Sequence, residues 1–349
     1  MRPFHLHRLR PPHALPHRHY STQPPAIGIA PLPSRTTLSL TGPDTAKFLH
    51  GLCTSTLLET TGGYTAFLTA PGRIITDAFV FPRLIDGQYS AVIDVDAALA
   101  DTLASHLRKH KLRSKIAFAR GGWSVWATWG PGLALPTDTP TLLDPRLPAL
   151  GARMLLPPGA EPALSLRHAS EKDYTLSTLQ HGLPPSSILP GLLPHEANLD
   201  HLSAIDFRKG CYVGQELTIR TQHTGVVRKR LLPVQLYRAG ETPPEDLAYQ
   251  PEFDAGGVEA GTDIVALGGG KRPAGRWLFG MGNVGLALCR LENMSDLRVS
   301  AEGGSWTPGD EFALKGSDLR VKAFVPDWLR ERETARQRSK AERKAVDTQ

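Results

Sequence analysis

Residues 194–236 read PHEANLDHLSAIDFRKGCYVGQELTIRTQHTGVVRKRLLPVQL, and this stretch has the most informative pattern in the chain. The residues from Gln215 to about Thr221 predict a short helix, with a glycine near its end and an acid in its first turn. Residues 226–236 (VVRKRLLPVQL) predict a strand. Cys211 therefore falls in a loop just before a helix N-terminus.

The residues around Cys211 favour the thiolate form of its side chain. Arg208 and Lys209 precede it, and the positive end of the predicted helix dipole follows it. Gly210 and Gly214 allow the loop backbone shapes that other residues resist. A thiolate binds a soft metal or attacks an electrophile. The alternative is a small, buried, apolar cysteine, and residue types alone leave both interpretations open.

The other two cysteines, Cys53 and Cys289, lie in apolar patterns and are predicted to be core residues. The three cysteines are far apart in sequence, and none belongs to a CxxC pair, which argues against a disulfide framework and suits a reducing compartment. An iron–sulfur cluster generally needs four protein ligands, mostly cysteines. If Cys211 contacts a cluster, a partner or a small thiol must supply the remaining ligands.

Strands and helices alternate without a strict βαβ rhythm, so the predicted fold class is α+β. The predicted segments are a leader at 1–20, a linker at 21–35, an α+β region at 36–237, a loop at 238–262, a small β-barrel at 263–328 and a basic polar tail at 329–349. The tail is read as a solvated or frayed helix, because it has almost nothing apolar.

The leader carries most of the positive charge. Residues 1–20 contain four arginines, five histidines and no acid, and the formal charge of +6 falls to +2 without them (+6 − 4). This composition is typical of a mitochondrial transit peptide and weakens the case for nucleic-acid binding. No run approaches the roughly 18 apolar residues of a membrane span.

The octapeptide at 209–216 resembles the signature of the YgfZ-type folate-binding family. The signature residues are Lys209, Gly210, Cys211, Tyr212, Val213, Gly214, Gln215 and Glu216. Further similarity lies in residues 194–200, residues 225–231 and residues 285–290, and in the N-terminal motifs GPDTAKFLHGLCTSTL and APGRIITD. The resemblance covers roughly residues 32–330.

This resemblance implies a ring-like, tripartite fold similar to the glycine-cleavage T-protein, with a C-terminal β-barrel. It implies a role in the mitochondrial matrix, in the late maturation of [4Fe–4S] proteins such as aconitase and the lipoate and biotin synthases. The implied partners are A-type iron–sulfur carriers and client enzymes. Cys211 would then help to ligate a bridging [2Fe–2S] cluster, at a rim shaped by the signature and by Arg208.

The resemblance also implies tetrahydrofolate as a ligand. The predicted folate-binding residues are Asp77, Glu196, Asn198, Arg228 and Arg230. The alternative function is a tetrahydrofolate-dependent aminomethyltransferase, in which an acid facing the folate places and protonates the reacting nitrogen. The T-protein has paired acids where this chain has Thr76 and Asp77, so the loss of one acid favours the assembly factor. A third alternative is an interaction scaffold with neither ligand.

Overall fold

The computed structural model describes residues 24–57, 62–85, 87–133, 135–269, 272–300 and 303–347, with side chains to residue 339. The helices are α1 Thr45–His50, α2 Ala100–Lys111, α3 Glu171–Gln180, α4 Gln215–His223, α5 Leu291–Met294 and α6 Asp327–Asp347. The strands are β1 Gly28–Pro31, β2 Arg35–Thr41, β3 Gly63–Leu68, β4 Ile74–Ile85, β5 Gln88–Asp96, β6 Ala117–Arg120, β7 Ser124–Trp129, β8 Thr141–Leu143, β9 Ala152–Leu156, β10 Lys229–Arg238, β11 Asp263–Ala266, β12 Gly275–Met281, β13 Val284–Arg290, β14 Phe312–Leu314 and β15 Leu319–Ala323. The predicted leader at 1–20 lies outside the described residues.

The first sheet is antiparallel, with the strand order β3-β4-β5-β2-β6. Helices α1 and α2 pack on it. Leu103 and Leu107, one helical turn apart on α2, are fully buried in the same cluster as Phe67 and Ile93 of the sheet. Helix α1 ends at His50. Cys53 therefore lies beyond it, in an isolated bridge to Phe67, although it is buried as expected.

The second sheet corrects the predicted linker at 21–35. Its strand order is β1-β7-β9-β8, and strand β1, at Gly28–Pro31, pairs antiparallel with β7. Ile29 and Ala30 are fully buried. The prolines around this segment suggested a linker, but an edge strand tolerates proline because one row of its N–H groups needs no ladder partner.

The third part is a closed antiparallel barrel with the strand order β10-β13-β12-β11-β14-β15. The predicted barrel boundary at residue 263 is wrong, because β10, at Lys229–Arg238, pairs with both β13 and β15. The chain between β10 and β11 has no helix or strand among its described residues, as the loop prediction at 238–262 requires.

The polar tail at 329–349 is not simply solvated. It forms most of α6. The first turns of this helix pack against the barrel and against residues 183–231, which we call the central segment. Leu329 is fully buried, and Glu333 is 2% exposed. The carboxylate of Glu333 accepts hydrogen bonds from His201 and Arg230, at 2.9 Å each. The charge-rich composition did not predict this contact, because a buried ion pair, and not an apolar stripe, attaches Glu333 and its turn of the helix to the protein.

One hydrophobic cluster joins the three parts. It contains residues of both sheets, including Phe79 and Trp129, together with Leu199 and Tyr212 of the central segment and Leu231 of the barrel. The segment 183–231 therefore bridges all three parts, and the cysteine loop belongs to it. The α+β, three-part architecture with a C-terminal barrel agrees with the sequence-based prediction.

Candidate functional site

Lys209 fastens the cysteine loop to the first sheet domain. Its ammonium donates to the main-chain carbonyls of His50 at 2.8 Å, Cys53 at 2.5 Å and Ser55 at 3.2 Å. The same group lies 5.0 Å from the centre of the Tyr212 ring. Burial lowers the pKa of Lys209. Its charge therefore serves to hold the loop, and it does not shape a solvent-facing rim as the sequence suggested.

The loop presents Cys211 to solvent while its neighbour is buried. Cys211 is exposed, whereas Tyr212 is 6% exposed and burial raises the pKa of its phenol to about 12. The Tyr212 N–H donates to the side-chain oxygen of Gln215 at 3.2 Å. Helix α4 begins at Gln215, as predicted, so Cys211 lies four residues before its first turn. The exposed alternative for this cysteine is the one that the structure adopts.

Gly214 allows the loop to approach the β3–β4 turn closely. Its φ is +81°, and a Cβ there would lie 2.4 Å from the carbonyl oxygen of Thr69. Gly72, in the same turn, is also closely packed, because a Cβ on it would lie 2.9 Å from the carbonyl oxygen of Gly214. The APGR motif and the cysteine signature are therefore packed against each other, backbone to backbone.

The other two thiols are inert by environment. Cys53 and Cys289 are fully buried, as predicted. Burial raises the pKa of the Cys53 thiol to about 12 and that of Cys289 still further. At neutral pH both are neutral thiols, which are poor metal ligands and poor nucleophiles.

A cavity of about 200 Å³, which we call the side cavity, lies behind helix α4. Glu196 and Arg228 line it, together with Leu217, Thr218 and Val227. The Glu196 carboxylate pairs with the ammonium of Lys229 at 2.8 Å. A pterin that binds this carboxylate would share it with Lys229, a competitor that the sequence did not reveal.

Asp77 lies elsewhere, in a central cavity of about 70 Å³ between the two sheets. It is 2% exposed; one carboxylate oxygen accepts from the Tyr64 hydroxyl at 2.8 Å, and the other has no hydrogen bond among the described residues. Arg146 and Arg153 enclose the same cavity, and both donate to the Tyr174 hydroxyl. We did not predict these arginines from the sequence, because nothing in the sequence distinguishes a buried arginine at these positions from an exposed one.

Asn198 and Arg230 are not free to bind a ligand. Arg230 is fully buried, and its guanidinium pairs with Asp200 and Glu333, at 2.9 Å each. Asn198 is also fully buried; its amide donates to the Leu231 carbonyl at 2.8 Å and accepts from Arg230 at 3.2 Å. The side-chain amide of Asn198 and the two terminal nitrogens of Arg230 are paired inside the protein and neither residue lines a described cavity, so both are structural residues, contrary to their prediction as folate ligands.

The five predicted folate ligands therefore do not form one site. Glu196 and Arg228 share the side cavity, Asp77 lies in the central cavity, and the other two line neither. Pockets for drug-sized ligands usually measure about 300–1,000 Å³. Both cavities fall below this range, so either one would have to open to admit tetrahydrofolate.

The described residues contain no group of three His, Cys, Asp or Glu side chains placed to hold a metal ion. Within the same residues, no helix has both the length and the apolar character that a membrane span requires.

Comparison with solved structures supports the fold. The crystal structure of the glycine cleavage system aminomethyltransferase T from Bartonella henselae superposes with a TM-score of 0.62, covering 88% of this chain and 87% of that chain at 14% identity. Residues 228–331 match the family described as CAF17, C-terminal beta-barrel domain. That match begins at β10, where the structure places the start of the barrel.

Curated relatives are similar over most of the chain. A protein of Phaeosphaeria nodorum is 42% identical over 334 residues, covering 89% of this chain and 82% of the relative. One of Chaetomium globosum is 39% identical, covering 88% and 85%. Both carry the name "Iron-sulfur cluster assembly factor IBA57 homolog, mitochondrial". The family prediction is confirmed, and the chain belongs to the mitochondrial iron–sulfur cluster assembly factors of the IBA57 family.

Proposed function

We propose that this protein acts in the mitochondrial matrix, where it assists the maturation of [4Fe–4S] proteins such as aconitase and the lipoate and biotin synthases. It does so with an A-type carrier that brings [2Fe–2S] units. Cys211 supplies one ligand to a cluster that bridges the two proteins, and the carrier supplies the others. The cluster is cargo that passes to the client enzyme.

The observation that carries this proposal is the contrast among the three cysteines. Cys211 is exposed on a loop whose main chain is fixed by Lys209, whereas Cys53 and Cys289 are fully buried. A fixed, exposed sulfur can enter a partner's incomplete ligand set with little loss of loop entropy. Four ligands are needed, so the complex and not this chain is the cluster-binding unit.

The test is anaerobic reconstitution of the full chain with an A-type carrier, iron and sulfide. We expect a cluster chromophore in a complex with the mass of both proteins, lost in Cys211→Ala and retained in Cys289→Ala. A complex whose chromophore survives Cys211→Ala would remove the cysteine from the ligand set. Failure of the wild type to form any complex would overturn the assembly proposal.

Folate binding is a separate proposal, supported by the T-protein-like fold and by the buried Asp77 with one unpaired oxygen. Titration of tetrahydrofolate against Asp77→Asn and Glu196→Gln separates the two cavities. Loss of binding in Asp77→Asn alone would assign the central cavity, and loss in Glu196→Gln alone the side cavity. No binding to the wild type would mean that neither cavity opens for folate.

A further inference from the structure

The cysteine loop contributes Val213 to the wall of an open groove between helices α1 and α2. This groove, which we call the α1–α2 groove, measures about 750 Å³. Phe48 and Leu52 contribute to its floor, and Val213 of the signature contributes to its wall. The Val213 N–H donates to the carbonyl of Gly51 at 3.0 Å, which fixes this wall. Val213 is two residues from Cys211, so their Cα atoms are at most about 7 Å apart.

Leu112 lies on the opposite lip of the groove, in a conformation that folding does not favour. It ends helix α2 with φ 44° and ψ −112°, and the N–H of Ser114 donates to the carbonyl of Lys111 at 2.8 Å. These values match the first central position of a type II′ turn, which strongly prefers glycine. The Leu112 side chain is nevertheless 88% exposed. A strained position that holds an exposed leucine indicates a role outside folding.

The rim of the groove is positively charged. Residues 106–115 contain five arginines and lysines and no acid, and Lys47 adds a further cation from α1. Among the groove residues the acid is Asp44, and its carboxylate accepts the N–H of Lys115 at 2.6 Å. The groove therefore has an apolar floor flanked by the cations Lys47 and Arg113.

We propose that the α1–α2 groove docks an acidic protein segment that carries a large apolar side chain, and that this segment belongs to the partner presenting the cluster to Cys211. The apolar side chain packs between Leu112 and the floor. The acidic residues meet Lys47 and Arg113. The inference rests on the proposed function, because the groove is adjacent to the cysteine that the cluster reaches.

The test measures the affinity and the association rate of the A-type carrier for full-chain variants. Leu112→Asp is expected to raise Kd about tenfold or more, as for a central interface residue. Leu112→Gly removes the side chain and suits the turn, so we expect weaker docking without a lower melting temperature. The matched control is Leu84→Asp, which changes an equally exposed leucine, 76% accessible, at the β4–β5 hairpin.

A charge-reversal pair tests the rim. Lys47→Glu with Arg113→Glu is expected to slow association at low salt, and the difference should vanish near 0.5 M salt, because screening removes steering. Arg276→Glu, on the barrel and 59% exposed, is the control and should leave the rate unchanged.

Three outcomes overturn the proposal. If the groove variants bind like the wild type while Cys211 remains necessary for the chromophore, the groove assignment fails and the assembly function stands. If the wild type binds no carrier, both fail. If Leu112→Asp abolishes binding to cardiolipin-containing vesicles and leaves carrier affinity unchanged, the groove is a membrane contact and the docking assignment fails.

Discussion

The ammonium of Lys209 donates a hydrogen bond of 2.5 Å to the carbonyl oxygen of Cys53, and so joins the cysteine signature to the segment that follows the first helix. The same side chain also donates to the carbonyls of His50 and Ser55, and the Val213 N–H adds a main-chain hydrogen bond to Gly51. The set of Lys209 contacts explains why a lysine precedes Gly210: a long, flexible cation can satisfy three carbonyls at once.

Lys209→Met is expected to destabilise the protein by about 1.5–3 kcal/mol, the usual value of hydrogen bonds to a charged group. Hydrogen exchange over residues 206–214 should rise. The control is Arg208→Met, because Arg208 is 96% exposed and its one ion pair is 4.0 Å long. We expect the control to change stability by less than about 0.5 kcal/mol. Equal losses in thermal unfolding would contradict the anchoring role of Lys209.

Gly214→Ala tests the backbone contact with the β3–β4 turn. The added methyl group would meet the Thr69 carbonyl at 2.4 Å and also occupy φ +81°. Gly191→Ala isolates the second effect, because Gly191 has φ +83° and nothing within 4 Å of its Cβ position. We expect about 1–2 kcal/mol for Gly191→Ala and clearly more for Gly214→Ala. Similar values in denaturant titrations would show that the turn yields without cost.

Part of the site was predictable from the sequence. Features that depend on neighbouring residues were predicted, whereas features that depend on contacts between distant residues were not. The exposed Cys211 and the start of α4 follow from local sequence, since glycines and helix starts are local signals. The use of Lys209 does not, because its acceptors are more than 150 residues away. The same reason applies to Arg228 and Arg230: Arg228, just before β10, is exposed, whereas Arg230, on β10, is fully buried because it pairs with the distant Glu333.

Strand β1 and the packing of the C-terminal helix were not predicted, for a related reason. Strand pairing depends on a distant partner, and a four-residue segment ending in proline carries little strand signal of its own. Helix α6 lacks an apolar period, so its buried acid read as one of many solvated charges. The buried partner, Arg230, was in turn predicted to bind folate. Neither residue of this ion pair could be recognised as buried without knowledge of the other.

Glu333→Ala removes the link between α6 and the central segment. It leaves the buried guanidinium of Arg230 with Asp200 but without its second carboxylate, and breaking a buried pair costs about 3–5 kcal/mol. Glu331→Ala, two residues earlier on the exposed face, is the control and should cost less than about 0.5 kcal/mol. Calorimetric unfolding of both variants distinguishes a structural anchor from a solvated tail. Equal melting temperatures would restore the solvated interpretation.

We expect the buried side chain of His195 to contribute to the pH dependence of the free energy of unfolding. This side chain is 3% exposed, and burial lowers its pKa to about 4 from 6.5. Between these two values the unfolded chain binds a proton that the folded chain does not, so stability falls as pH falls from about 6.5 to 4. The full loss is about 3 kcal/mol, at 1.36 kcal/mol for each pKa unit.

His195→Gln should flatten this part of the stability curve, because glutamine takes up no proton in the same window. Urea unfolding between pH 4 and 7 gives the two slopes, and the titration of the His195 Cε1–H resonance gives the folded pKa directly. Below pH 4 both proteins should lose stability alike, because the pKa values of the buried carboxyls Asp200 and Glu333 are depressed in both and the unfolded chain takes up protons there. A resonance that titrates near 6.5, with parallel stability curves, would mean that water reaches the ring and that the side cavity is open to solvent.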